Sequence, residues 1–142
     1  MRILGLDLGN RTCGIAMSDV SEFLASGIET IRFEEKNFQI PLDYIVNIVD
    51  NNKVGKIVLG LPKNMDGSIG EQGQICLNFK KMLEERLDIE VVMLDERLTT
   101  RSALQAMNTA NMSRKTKKSH IDTMAATVIL QDYLDKFRKK AF

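Results

Sequence analysis

Residues 2–19 constrain this chain most, because they read as a strand carrying one aspartate, an abrupt turn and a second strand. Alternation along residues 2–8 sets Leu4, Leu6 and Leu8 on one face and Ile3, Gly5 and Asp7 on the other, so a carboxylate is aimed at a face that something must cover. Gly9 and Asn10 tolerate the backbone angles of a tight reversal into the strand 12–18. There Gly14, Ala16 and Ser18 alternate with Cys13, Ile15 and Met17. One face of the hairpin is therefore unusually small beside an acid. That leaves room for a helix, an ion or a phosphate to approach the backbone, whereas a purely structural hairpin fills such a face with bulk. The plainer alternative makes Asp7 the cap of a neighbouring turn.

The rest of the chain reads as one domain, residues 1–142, with 44% hydrophobic and 27% charged residues, ordinary globular values. No apolar run approaches the length of a membrane span, and Met1 leads straight into a strand, so a cytoplasmic protein with no membrane partner is expected. Cys13 and Cys76 stand apart, without zinc or disulfide spacing, and are expected to be buried, reduced and structural. The net charge of +1 makes no case for a polyanion, but Arg114, Lys115, Lys117 and Lys118 lie within five residues and Lys136 to Lys140 is again basic.

Turn signals and periodicity predict a third strand over 24–33 with Gly27 at a bulge, then a helix capped by Asn37 that carries Phe38, Leu42, Ile45 and Val49. A buried strand over 56–60 follows, then a turn-rich loop over 61–70, a helix over 71–87 and a strand over 90–94. A helix around Leu104 and Met107, an exposed mobile basic segment over 111–118 and a last helix over 121–137 complete the order βββαβαβαα. A three-stranded meander joined to two right-handed crossovers gives an α/β fold, a five-stranded mixed sheet with helices packed over it.

Three acidic positions occupy telling places: Asp7, the pair Asp95-Glu96 at the end of the fifth strand, and Asp122 in the first turn of the last helix. Asp122, Ala125, Ala126 and Ile129 share a helix face, and the small face of the hairpin is its natural partner. Loops at the carboxyl ends of strands gather into a crevice in open α/β sheets, so the acids could converge there. Carboxylates meeting without histidine or thiolate suit Mg²⁺ or Mn²⁺ and not zinc. An ion is the simplest reason for such charges to coexist, and two ions about 3.5–4 Å apart could activate a water and stabilise the leaving oxygen of a phosphodiester.

Each residue also has a structural explanation. Ser119 to Asp122 fits a capping box, Glu96 can pair with Arg97 or Arg101, Asp95 can cap the approaching helix, and Asp66 before Gly67 suits a turn. Lys63 and Asn64, beside the crevice, can touch a phosphate or simply be solvated. The segment Arg114 to Lys118 is either a solvated linker or a grip on a nucleic-acid backbone. With no Trp and two Tyr, a single-strand stacking platform is not expected.

Four blocks in order resemble the YqgF family, also called RuvX, the pre-16S rRNA nuclease family related to the Holliday-junction resolvase RuvC. They are Gly5 to Gly9 with Gly14 to Asp19, Gly60-Leu-Pro with Asp66-Gly67-Ser68, Asp95 to Thr100, and Asp122 with Ala125-Ala126 and Ile129 to Gln131. The resemblance runs nearly end to end and implies an RNase H-like fold with the first strand central. It also implies catalytic, metal-binding acids at Asp7, Glu96 and Asp122, with Asp95 a second-rank candidate. It implies attack by water that leaves a 5′-phosphate and a 3′-hydroxyl, and a role at the 5′ end of precursor 16S rRNA. The candidate nucleic-acid contacts along the chain are Arg11, Lys63, Asn64, Arg97, Arg114, Lys115, Lys117 and Lys118. Where the family pattern carries two basic residues between Gly9 and Gly14, this chain has only Arg11.

The function classes that remain are a metal-dependent endonuclease acting on RNA in ribosome biogenesis or on a DNA junction, and a non-catalytic RNA-binding assembly factor. The complete acid set favours the nuclease. An actin-like or sugar-kinase ATPase shares the Asp-Leu-Gly turn but needs two lobes, and this repeat-free chain supplies one. A monomer or a homodimer is compatible with either class.

Overall fold

The computed structural model describes residues 1–96 and 114–137, with the backbone alone for 114–122. Strands β1 (Arg2–Leu8), β2 (Thr12–Ser18) and β3 (Ala25–Arg32) form the expected meander. Helix α1 (Gln39–Asn52) leads to β4 (Val54–Leu61), α2 (Glu71–Arg86) leads to β5 (Glu90–Asp95), and α3 (Arg114–Phe137) closes the described chain. The sheet runs β3-β2-β1-β4-β5: β1 pairs antiparallel with β2 and parallel with β4, and β4 pairs parallel with β5. β1 is therefore central, and the carboxyl ends of β1, β4 and β5 share one edge. A bulge places Ile15 opposite Glu29 but Ala16 opposite Gly27, so Ile28 is the extra residue beside the glycine where a bulge was expected.

The two faces of β1 do different work. Leu4, Leu6 and Leu8 join Ile15, Ile57, Leu59, Phe79 and Leu83 in the larger core under α1 and α2, while Ile3 joins Ala16, Val58, Ala126, Ile129 and Leu130 in a second core under α3. Leu4, Leu6, Ile15, Ile57 and Leu59 are completely buried, each stabilising the fold by about 1.5–3 kcal/mol. A one-residue slip of β1 would turn its leucines onto the other face, so burial fixes the register that aims Asp7.

Helix α3 lies across β1, β2 and β3, almost directly on backbone. A methyl carbon placed on Gly5 would fall 2.6 Å from Leu130 Cβ and 3.1 Å from the Ala126 carbonyl oxygen, and one on Gly27 would fall 2.0 Å from Thr123 Cγ2. The small hairpin face thus receives the helix that carries Ala125 and Ala126, as the residue pattern anticipates. Gln131 ties the two together: its side-chain nitrogen donates to the Phe23 carbonyl at 2.9 Å, and its side-chain oxygen accepts from the Ala25 N–H at 2.9 Å.

Two expectations change. Helical backbone is already present at Arg114, seven residues before the predicted start, because the lysines and arginine of that segment are good helix formers even without an apolar stripe. Asp122 therefore sits inside the helix and not in its first turn, which removes the capping-box explanation. Helix α1 is capped at Phe38 without a side-chain hydrogen bond, not by Asn37. The predicted helix around Leu104 and Met107, and Arg97, lie outside the described residues.

Candidate functional site

An open cleft of about 300 Å³ opens at the edge where β1, β4 and β5 end, lined by Asp7, Leu8, Gly9, Thr12, Pro62, Gln72 and Glu96. Asp7 is partly buried near the end of the central strand, opposite Gly14 of β2. Glu96 follows β5 directly, two strands away, and is likewise partly buried. The strand between them makes room. Leu59 is in register with Leu6, so the next residue, Gly60, flanks Asp7 on the same face. A methyl carbon on Gly60 would lie 2.7 Å from Ile129 Cδ1 and 3.1 Å from the Glu96 carboxyl carbon. The glycine of the Gly60-Leu-Pro block is thus what lets the Glu96 side chain lie over β4 towards Asp7.

The third acid reaches this region by its helix. Ala126 packs at Gly5, whereas Tyr133 further along meets Lys56 at the opposite end of β1 and β4. Helix α3 therefore runs antiparallel to β1, and the turn bearing Asp122, one turn before Ala126, sits at the Asp7 end of the sheet. The side chains of Asp122, Arg114, Lys115, Lys117 and Lys118 lie outside the described residues. Among the described residues no group of three or more His, Cys, Asp or Glu gathers.

Asp95 and Glu96 part company. Asp95 faces Lys63, with Oδ2 3.6 Å from Nζ and the two side chains 16% and 27% exposed, while Glu96 lines the cleft. The other basic candidate in a loop, Arg11, is 71% exposed and pairs with Glu35 at 3.4 Å. Asn64 is occupied inside its own loop, donating to Ser68 Oγ at 3.0 Å, while Asp66 accepts from the Ser68 N–H at 2.9 Å and its hydroxyl at 2.6 Å. Asp66 is a turn former, and Gly67 supplies the positive φ of 89° that this turn requires.

Beneath the cleft lies Cys76 of α2. Burial, and then the charges of Glu96 and Asp7, push its thiol up to about 12, and burial raises Cys13 in the same direction. Both cysteines are free and buried, as anticipated, and burial favours the neutral thiol at each.

Thr12 and Gln72 are cleft residues that sequence reasoning passes over, since neutral polar side chains carry no charge signature. Gln72 donates through Nε2 to the Leu8 carbonyl at 3.0 Å and so holds the end of β1 immediately after Asp7. Its place two residues past Gly70, in the first turn after a loop at the carboxyl edge, was the available signal.

A model of the RuvX family of Holliday junction resolvases matches residues 1–136. A protein of Bacillus cereus strain AH187 named "Putative pre-16S rRNA nuclease" is 49% identical over 136 residues, covering 96% of this chain and 99% of that one. A protein of the same name from Bacillus mycoides strain KBAB4 is 50% identical over 135 residues, covering 95% and 98%. Among solved structures, Thermus thermophilus RuvC in complex with a Holliday junction substrate superposes with a TM-score of 0.60 at 12% identity, covering 99% of this chain and 98% of that one. The fowlpox virus Holliday junction resolvase gives 0.58 at 14% identity, covering 96% and 100%. These structural likenesses establish an RNase H-like fold of the RuvC kind.

Proposed function

The chain belongs to the RuvX family, and on that premise we propose that it is a divalent-metal-dependent endonuclease that hydrolyses phosphodiester bonds of RNA and trims the 5′ end of precursor 16S rRNA. The observation that supports the reading best is the convergence of Asp7 and Glu96 in one cleft, at the shared carboxyl edge of three parallel strands. Two carboxylates facing a polyanion repel it unless a cation lies between them. The donors that line the cleft suit a hard ion such as Mg²⁺ or Mn²⁺: carboxylate oxygens with a threonine hydroxyl nearby.

Asp7 and Glu96 would hold the metal, with Asp122 completing the set from α3. Bound there, the metal supplies a water of lowered pKa and charge stabilisation at the phosphoryl oxygens. The protein's own part is positioning. Gln72 anchors the end of β1, the empty side of Gly60 admits Glu96, and α3 seated on Gly5 brings its Asp122 turn to the same end. Hydrolysis joins the water oxygen to phosphorus and breaks the bond to the 3′ oxygen, which leaves with a proton as the 3′-hydroxyl. The basic residues Arg114, Lys115, Lys117 and Lys118 of α3 would grip the backbone phosphates, with Arg11 and Arg97 as further contacts.

The deciding experiment compares cleavage of a precursor 16S 5′ segment, single-stranded DNA and a four-way DNA junction by the native protein and by Asp7→Asn, each with Mg²⁺, Mn²⁺ or chelator. Cutting of the precursor that needs metal and Asp7 is the expected result. Junction cutting alone would reassign the substrate. Binding of the precursor without cutting would make the protein an assembly factor.

A further inference from the structure

The loop between β4 and α2 leaves the cleft wall at Pro62 and ends at the first turn of α2, where Gln72 also lines the cleft, and it carries an apolar tip. Met65 is 95% exposed, the most exposed of the large hydrophobic side chains among the described residues. Its loop is rigidly made. The Asn64 N–H donates to the Ser68 carbonyl at 2.9 Å, Gly67 N–H to the Asn64 carbonyl at 2.9 Å, and the Asp66 carboxylate holds Ser68 twice. At its base the Pro62 carbonyl and Ile69 Cγ2 press on Gly73, where a methyl carbon would meet them at 2.8 and 2.7 Å. The braced turn from Asn64 to Ser68 thus carries, among polar neighbours, one flexible and polarizable thioether that is largely exposed.

We propose that Met65 is a base-contacting residue that packs against the face of a nucleobase next to the cleaved phosphate and so helps to select which phosphodiester enters the cleft. The inference rests on the nuclease reading and adds a contact to the same site. Three residues span at most about 10 Å, so Met65 reaches no further than that from Pro62 at the cleft wall. Nucleotides rise about 3.4 Å each along a strand, which places the contact within about three nucleotides of the scissile phosphate. Methionine suits such a contact: it is an apolar wedge used against base steps, and its sulfur is attracted to aromatic rings of any base identity. Lys63 and Asp95 at the foot of the loop pair with each other, so the apolar tip is displayed by a fixed mount.

The test measures cleavage by Met65→Ala and Met65→Phe on the precursor 16S 5′ segment, and on versions carrying one abasic nucleotide at each of the three positions on either side of the cut. Because the side chain is solvent-exposed, Met65→Ala should melt like the native protein. It should raise KM about three- to tenfold, the size of one methionine–aromatic contact, with kcat little changed, and Met65→Phe should restore the native value. The Met65→Ala defect should vanish when the contacted base is missing. Equal KM for Met65→Ala and native protein, or a defect that persists with every abasic position, overturns the proposal. Its failure is distinct from failure of the nuclease reading, in which the native protein cuts nothing. In that case Asp7→Asn with and without Met65→Ala is titrated with the precursor segment bearing 2-aminopurine at single positions. A fluorescence change at one position that requires Met65 supports the contact, and no such position overturns it.

Discussion

Lys63 Nζ lies 3.6 Å from Asp95 Oδ2, a contact that ties the loop after β4 to the last residue of β5, one residue before Glu96. Two residues that the sequence offers as a phosphate contact and a reserve metal ligand are here each other's partner. On the proposed reading Asp95 supports the strand end that presents Glu96. Asp7→Asn and Glu96→Gln should each lower kcat by more than about 100-fold, while Asp95→Asn should lose only about 10- to 100-fold, the range of residues that support a ligand. At 3.6 Å the contact is long, so a Lys63→Met, Asp95→Asn double-mutant cycle of urea unfolding should show a modest coupling, about 0.5–1 kcal/mol. An Asp95→Asn loss as deep as that of Glu96→Gln would return Asp95 to the metal.

Gly60→Ala separates geometry from chemistry. The added methyl meets the mobile end of Ile129 and the Glu96 carboxyl group, so the fold should lose only about 1–2 kcal/mol. Cleavage should fall on the order of 10- to 100-fold, as expected for a catalytic group displaced by a fraction of an ångström to an ångström. Thermal melting and steady-state rates on the same preparation measure both effects, and intact activity would show that Glu96 does not need that space.

Metal binding should be visible without turnover. Mg²⁺ or Mn²⁺ at about 100 times its dissociation constant should stabilise the native protein by about 2–3 kcal/mol, read as a rise in Tm. Asp7→Asn and Glu96→Gln should abolish the rise. Ca²⁺ in place of Mg²⁺ should preserve some stabilisation while impairing cleavage, since its larger and more flexible shell fits the reacting geometry poorly.

The two buried thiols give a prediction in pH. Cys76 is raised from 9.0 to about 12, and Cys13 is raised as well, so the folded protein keeps protons that the unfolded chain releases above about pH 9. The unfolded state then binds fewer protons, and stability attributable to these groups must fall as pH climbs from about 9 towards 12. Cys76→Val should flatten part of that alkaline loss in denaturation curves at pH 8 and pH 10. Native protein at pH 8 should resist iodoacetamide at both cysteines, while urea-unfolded protein should be alkylated at once. Rapid labelling of the native protein would contradict the burial.

Patterns of apolar residues carried most of the architecture. β1 and β2 lie where alternation placed them, at Arg2–Leu8 and Thr12–Ser18, because a period of two with one small face leaves little choice of register. The start of α3 was hidden, since Arg114 to Ser119 has helix propensity but no apolar stripe, and a basic run without periodicity reads as exposed chain. At the cleft, Asp7 and Glu96 were legible as acids at strand ends. Thr12 and Gln72 were not, because only folding brings the β1–β2 turn beside the first turn of α2. Ion pairs were equally invisible: Arg11 meets Glu35 and Lys63 meets Asp95 across separations that no local pattern encodes.

The seat of α3 on Gly5 also sets a limit on change in this chain. Most helix–sheet contacts have a cushion of side chains that can repack when one is altered, but here Leu130 Cβ and the Ala126 carbonyl oxygen rest almost on bare strand. With little between them to repack, added volume at that point pushes on the helix itself, one turn from the turn that bears Asp122. On the proposed reading, errors of volume at Gly5 become errors of alignment at the cleft, two residues from Asp7. Drift at Gly5 and Ala126 should therefore be judged by the chemistry it misplaces before the stability it removes.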